Sequence, residues 1–347
     1  MTLTRTGPTD PPRTPGPAWP LRLLRERSVR IALACWAAAN AGAVAIAGGT
    51  LPFDWPMVHD QATGSRLFEF NVRFVEVFAL MGVVYWLTRK RAIPHQASRA
   101  PARPAALRET LWLTAYGVAG LIGGYALGRG LGYHPFSLHL DGSMYGTHDH
   151  VVPAEAIIWA AYCLVVFAVV PLLFFLRRHP ARSLNLVSSD RRGDTKVIVV
   201  VFAIEATVQY LAMHPEMFHL SARQLATGLP LTFALYLAGA VLPAMVFVYC
   251  ILVPRLALLT GSTATTVILG GVAYAALHVW DGWTLWGTPS NAALSVIFLL
   301  ATYFGPGMFK TWATVRTGNA WVHVWAYHAF VPHTMMNTPL IVRIFRL

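Results

Sequence analysis

Nine apolar runs, each close to the length that crosses a bilayer, set the terms on which this chain can fold. They cover 29–49, 70–88, 110–131, 153–176, 196–213, 230–253, 264–280, 291–309 and 320–341. A membrane barrel would instead alternate apolar and polar residues over about 10 positions. In lipid every backbone group must be paired within the protein, so long apolar runs form helices. The sequence therefore predicts an all-α fold, a polytopic integral membrane bundle of eight or nine transmembrane helices. Only 12% of the 347 residues are charged and 56% are hydrophobic, with a mean hydropathy of +0.51. A soluble domain carries roughly 25% charge.

The net charge of +12 comes from 24 Arg and 3 Lys against 15 acidic residues. Such a balance suits nucleic acid as well as lipid, but here the cations flank the apolar runs, which points to membrane lipids and topology and away from nucleic acid. Arg22, Arg25, Arg27 and Arg30 precede the first run; Arg89, Lys90, Arg91, Arg99, Arg103 and Arg108 fill the second connection. Arg177, Arg178, Arg182, Arg191, Arg192 and Lys196 crowd the fourth, Arg255 marks the sixth, and Lys310 and Arg316 mark the eighth. The odd-numbered connections hold Asp54, Asp60, Glu69, Asp141, Asp149, Glu216 and Asp281. This alternation predicts a cytoplasmic N-terminus in a bacterial cytoplasmic membrane. Nine crossings leave Arg343 and Arg346 on the outer side, against the rule, so the side of the C-terminus stays open.

Residues 1–28, rich in Pro and Arg, read as a disordered basic cytoplasmic tail without the pattern of a cleaved signal. An N-terminal set of helices over 29–176 and a second unit over 177–347 follow. Cys35, Cys163 and Cys250 are scattered and predict no disulfide framework. Gly120, Gly124 and Gly128 recur every four residues, as at close helix contacts. Trp280, Trp283 and Trp286 read as an interfacial belt. No internal repeat is visible.

Two histidines stand out. His278 closes Tyr274-Ala-Ala-Leu-His278, and His333 opens His333-Thr-Met-Met-Asn337. At the α-helical rise both lie roughly 20 Å up their spans. Asn337, one turn past His333, shares its face, and Asp281 is placed to orient the His278 ring. Either imidazole taken alone more often bonds a neighbouring helix than binds a ligand.

From about residue 172 onward the chain resembles the CPBP family (CAAX proteases and bacteriocin-processing enzymes, also called Abi). These are intramembrane metalloproteases with signatures EExxxR, FxxxH and HxxxN. Tyr274 to His278 resembles the second, with Tyr for Phe, and His333 to Asn337 the third. Leu172 to Arg178, Ser183-Leu-Asn-Leu186, Leu252-Val-Pro-Arg-Leu256 and Arg316-Thr-Gly-Asn319 resemble the flanking segments. The resemblance implies a CPBP-like transmembrane domain over 177–347, Zn²⁺ or another divalent metal held by His278, His333 and Asn337, and a membrane-bound peptide or lipid-like substrate. Ala244 and Met245 stand where the paired glutamates belong, and Tyr249 where the arginine does. His328 fits the spacing from Thr317-Gly318 better than His333 but lacks an asparagine four residues on.

Glu205, with Gln209 one turn later, is the candidate replacement base; its bland alternative is a packing pair. Arg73 and Glu76 are spaced for an internal ion pair. The polar stretch His134 to His150, with His139, Asp141, His148 and Asp149, reads as a solvated loop. Three functions follow: a CPBP-type metalloprotease homologue with altered or lost peptidase activity, a non-catalytic scaffold of the same descent, or a proton-coupled transporter using Glu205 and the histidines.

Overall fold

The computed structural model describes residues 23–53, 62–143, 151–213 and 216–347. Among these, nine helical rods coincide with the nine apolar runs, and no strand is present beyond an isolated Thr50–Ala62 bridge. In chain order they are α1 (Arg27–Ala47), α2 (Thr63–Thr88), α3 (Arg103–Gly130), α4 (Pro153–Leu176), α5 (Arg191–Met213), α6 (Ala222–Thr260), α7 (Thr263–Ala276), α8 (Pro289–Thr317) and α9 (321–345). Five of them, α1, α3, α4, α6 and α8, are long and apolar enough to cross a membrane. Of the expected N-terminal tail, 1–22 lies outside the described residues, and 23–25 is already helical.

Local chemistry sets the helix ends. Ser221 and Gln224 form a reciprocal capping box that starts α6 ahead of the expected 230. Ser262 and Thr288 cap α7 and α8 through their hydroxyls. Gly261 and Gly318 end α6 and α8 in the left-handed region, at φ 65° and 66°. Because α8 runs to Thr317, Lys310 and Arg316 belong to a helix and not to the eighth connection, and Lys310 is buried. Arg255 likewise sits inside α6, donating to Glu109 at 2.7 Å.

Burial sorts the rods. The apolar stretches of α6 and α8 are 83% and 61% buried, those of α1 and α3 only 6% and 22%. The former are the centre; the latter present Leu111, Trp112, Ile122 and Val44 outward. At this scale each buried large side chain contributes about 1.5–3 kcal/mol against water, but no such gain separates helices from lipid, where close packing holds them.

The connections gather as their charges predict. At one end Arg99 bonds Asn185 and, at 2.6 Å, the Gly318 carbonyl, joining the second, fourth and eighth. Arg91 pairs with Asp190 at 3.0 Å and Asp194 at 2.9 Å, and Arg103 reaches the Leu259 carbonyl at 3.0 Å. At the other end Phe53 meets Trp283 with ring centroids 5.4 Å apart, and Leu138 N–H donates to Leu277 O at 3.3 Å. Gln224 donates to the Leu347 carbonyl at 3.3 Å, so the C-terminus lies beside the start of α6.

Candidate functional site

The segment after α3 does not stay in solvent. Phe136, Ser137, Leu138, His139, Leu140 and Asp141 are all buried. The glycine spacing on α3 explains the entry. A Cβ on Gly124 would lie 2.5 Å from Phe136 O, and one on Gly128 only 2.1 Å from His134 O. Gly124 and Gly128 therefore admit a returning backbone, while Gly120, against Phe167, and Gly124, against Tyr162, also meet side chains of α4. Trp159 Nε1 and Cys163 Sγ then hold Ser137 O at 2.7 and 3.2 Å. The solvated-loop expectation fails over 136–141 because buried donors take up its carbonyls; His148, Asp149 and His150 lie outside the described residues.

His139 is thereby carried between the two predicted histidines. Its ring centroid lies 4.7 Å from that of His278 and 5.1 Å from that of His333, at interplanar angles of 80° and 86°. The predicted pair thus converges, through a third imidazole that sequence reading left outside.

Each ring is held differently. α7 stops at Ala276, so His278 lies in the following turn and not within a helix. Its Nδ1 faces Tyr274 O at 2.7 Å, a carbonyl that also accepts from Leu277 N–H at 3.3 Å. A carbonyl only accepts, so Nδ1 carries the proton and Nε2 the lone pair. Tyr303 stacks on this ring at 3.8 Å. The Tyr303 hydroxyl donates to Asp281 and lies 2.9 Å from His139 Nδ1, so His139 also holds its proton on Nδ1 and presents Nε2. Asp281 was expected to orient His278; it orients His139 instead, through Tyr303, and accepts from Ser137 at 3.1 Å. His333 stacks on Tyr236 at 5.1 Å, and Tyr236 OH lies 2.5 Å from Ser143.

α9 adds two histidines, the His328 already favoured by its spacing from Thr317-Gly318 and a His323 that the sequence did not single out. His323, His328 and His333 are five residues apart, which in an α-helix turns successive side chains by about 140°. Here α9 is π-helical over Val324–His328 and Phe330–Met335, with Ala329 N–H bonding Val324 O at 2.9 Å and Thr334 N–H bonding Ala329 O at 3.3 Å. That i to i+5 pattern brings the three onto one face. Centroids are 5.8 Å apart for His323 and His328, and 4.8 Å for His328 and His333. The Asn337 amide nitrogen donates to Pro332 O at 3.2 Å and to His333 O at 3.0 Å, carbonyls of the widened turn.

Below the ladder, Tyr274 OH meets His328 Nε2 at 3.0 Å, and Lys310 Nζ stands 3.6 Å from the Tyr274 ring and 5.5 Å from that of Tyr327. Tyr327, Glu76, Arg73 and Gln209 line a cavity of about 60 Å³ where α2, α5, α8 and α9 meet. Glu205 faces Glu76 there across the α2–α5 contact, although neither Glu205 oxygen makes a hydrogen bond of ordinary geometry. Arg73 pairs with Glu69 at 3.1 Å, one turn back, and also attracts the predicted partner Glu76. Glu205 makes no hydrogen bond to any of the imidazoles, nor does Gln209.

Seven imidazole nitrogens along this line are buried without a hydrogen-bond partner: His139 Nε2, His278 Nε2, His328 Nδ1 and both nitrogens of His323 and His333. Trp283 is buried, while Trp280 donates to Leu121 O at 2.9 Å and Trp286 is exposed, so the tryptophans are not one belt. Ala244 and Met245 are buried, and Tyr249 packs on His323 with centroids 4.3 Å apart.

No family model, no curated protein and no solved structure matches this chain.

A divalent metal at His278, His333 and Asn337 needs donors converging on one point. Among the described residues no three His, Cys, Asp or Glu side chains stand in a metal-holding group. The residues as arranged do not fit a preformed zinc centre.

Proposed function

We propose that the chain is a proton-coupled membrane protein on a CPBP-like helical scaffold, and that the histidine ladder is its proton path. The observation that carries this reading is the line of buried imidazoles in ring contact, His323, His328, His333, His139 and His278, with seven nitrogens free of protein partners. An imidazole can accept a proton on one nitrogen and release one from the other, and it does so near neutral pH more readily than any other side chain. Unpaired polar atoms of this kind are costly in an apolar body unless water or a mobile proton serves them. An intramembrane ionisable group is functional by default, and here several are contiguous.

The path has two ends. Toward the acidic connections His139 leads through Tyr303 to Asp281, and Asp141 approaches the partly exposed His134 at 3.6 Å. Toward the basic connections His323 lies two residues into α9, close to Asn319, which donates to Asp194 at 2.9 Å. Tyr274, Lys310 and Tyr327 branch from the ladder to the Glu76–Glu205 pair.

Peptidase chemistry has less support. Water attack on a carbonyl calls for a general base within hydrogen-bond reach. Ala244 and Met245 cannot accept a proton, and Glu205 faces Glu76. A cytoplasmic N-terminus and a bacterial cytoplasmic membrane remain part of this proposal, supported by the arginine-bearing connections sharing one end.

The test is proton flux. Purified protein in sealed vesicles, with a pH-sensitive dye inside and a potassium diffusion potential set by valinomycin, should acidify or alkalinise the lumen. Protein carrying His139→Phe or His333→Phe should not. Wild-type vesicles no leakier than empty ones, combined with stoichiometric zinc in the purified protein, would overturn the proposal in favour of a metalloenzyme.

A further inference from the structure

Far from the histidines, a cavity of about 550 Å³ opens between α3 and α4 at their basic end. Its floor is Leu113, Pro171 and Phe175, all buried, and its walls include the exposed Trp112, Val170 and Phe174. Trp112 and Phe174 are 71% and 47% exposed, so the groove faces whatever surrounds the bundle. Both walls belong to helices apolar enough to cross a membrane, hence the surround is lipid.

Charge tells which lipid. Arg108 and Arg178 stand at the mouth. Arg178 lies flat on Phe174, 3.7 Å from the ring centroid, and donates only to its own helix, to Phe174 O at 3.1 Å. Among the described residues neither arginine pairs with a carboxylate. The one acid at the rim, Glu109, is already taken: Arg255 donates to it at 2.7 Å, and His179 lies 3.1 Å away. Two uncompensated guanidiniums therefore sit over an apolar trough. Guanidinium binds phosphate bidentately and resists deprotonation, which suits it to an anionic headgroup at the membrane surface. The aromatic walls below suit acyl chains, and Trp112 sits where an interfacial tryptophan is expected.

We infer that this groove is a binding site for an anionic phospholipid, with the phosphate held by Arg108 and Arg178 and an acyl chain laid along Trp112, Leu113 and Phe174. The inference does not depend on proton flux. A zwitterionic lipid also carries a phosphate, but its ammonium group finds no carboxylate here, since Glu109 is occupied.

The experiment uses the full chain in mixed micelles of phosphatidylglycerol and phosphatidylcholine at equal concentration, with retained lipid counted by native mass spectrometry. Wild-type protein should keep phosphatidylglycerol over phosphatidylcholine by about thirtyfold, as two guanidiniums near the surface would give. Arg108→Ala together with Arg178→Ala should bring the ratio close to one, whereas Arg343→Ala, a charge near the C-terminus, should leave it unchanged. Leu113→Trp, which fills the floor and leaves both charges in place, should lower retention of both lipids at the site. An even ratio in the wild type, a ratio that survives the double substitution, or an equal loss in Arg343→Ala each overturns the inference.

Discussion

His278 Nδ1 lies 2.7 Å from the carbonyl oxygen of Tyr274, the residue one turn earlier in the chain. The contact does two things at once. It adds a second hydrogen bond to a carbonyl at the end of α7, and it fixes the tautomer so that Nε2 keeps the lone pair, beside the His139 ring.

His278→Ala therefore costs stability as well as function. The lost hydrogen bond is worth about 1 kcal/mol and the emptied, fully buried ring space adds a cavity cost, for a total of about 2–3 kcal/mol. Thermal unfolding in detergent should show a lowered midpoint. An unchanged midpoint would mean that the ring does not cap the helix.

The ladder can be cut without emptying it. His328→Phe keeps a flat ring between His323 and His333 and removes both nitrogens. It leaves the Tyr274 hydroxyl without its 3.0 Å partner, at about 1–3 kcal/mol. Proton flux should disappear while the protein still folds. Phe330→Leu, on the partly exposed side of the same helix, should conduct normally. Conduction through His328→Phe equal to wild type would remove α9 from the path.

What was legible in the sequence was set by periods it displays openly. The nine apolar runs all fell on helix, although among the described residues only five helices are long and apolar enough to cross a membrane. The arginine alternation became two distinct ends of the bundle. The pairing of His278 with His333 was also visible, although its go-between was not. His139 lies among Gly, Ser, Asp and His, a composition that signals solvent, and only the glycines on α3 hint that a backbone returns to them. His328 is legible as an alternative to His333, but its alignment with His333, and His323 altogether, were hidden by the α-helical period itself: at 3.6 residues per turn a five-residue spacing scatters side chains, and nothing in the residues announces π turns. Arg73 does attract Glu76, as their spacing along one helix suggests, but Glu205 as a second neighbour on α5 cannot be read from α2 alone.

The Glu76–Glu205 pair makes a separate prediction. Two facing carboxyls repel when both are charged, so an amide in place of one removes that repulsion. Glu205→Gln should leave the unfolding midpoint within about 1 kcal/mol of wild type or raise it. Flux should fall, because an amide cannot pass a proton on. A loss of several kcal/mol would show instead that Glu205 is held as an anion by a cation.

The returning segment after α3 offers the most direct test of how the site is built. Gly128→Ala puts a methyl group where His134 O stands, at 2.1 Å, and neither atom belongs to a flexible side chain. The cost should reach the upper part of the overpacking range, about 2–3 kcal/mol. Relief requires the backbone of 134–136 to back away, which draws His139 off His278 and His333, so flux should fall as well. Gly82→Ala is the matched control, since no atom lies within 4 Å of its added Cβ. Within α2 it should stabilise the helix by up to about 1 kcal/mol. Equal midpoints for the two variants would show that Gly128 does not hold the segment that delivers His139.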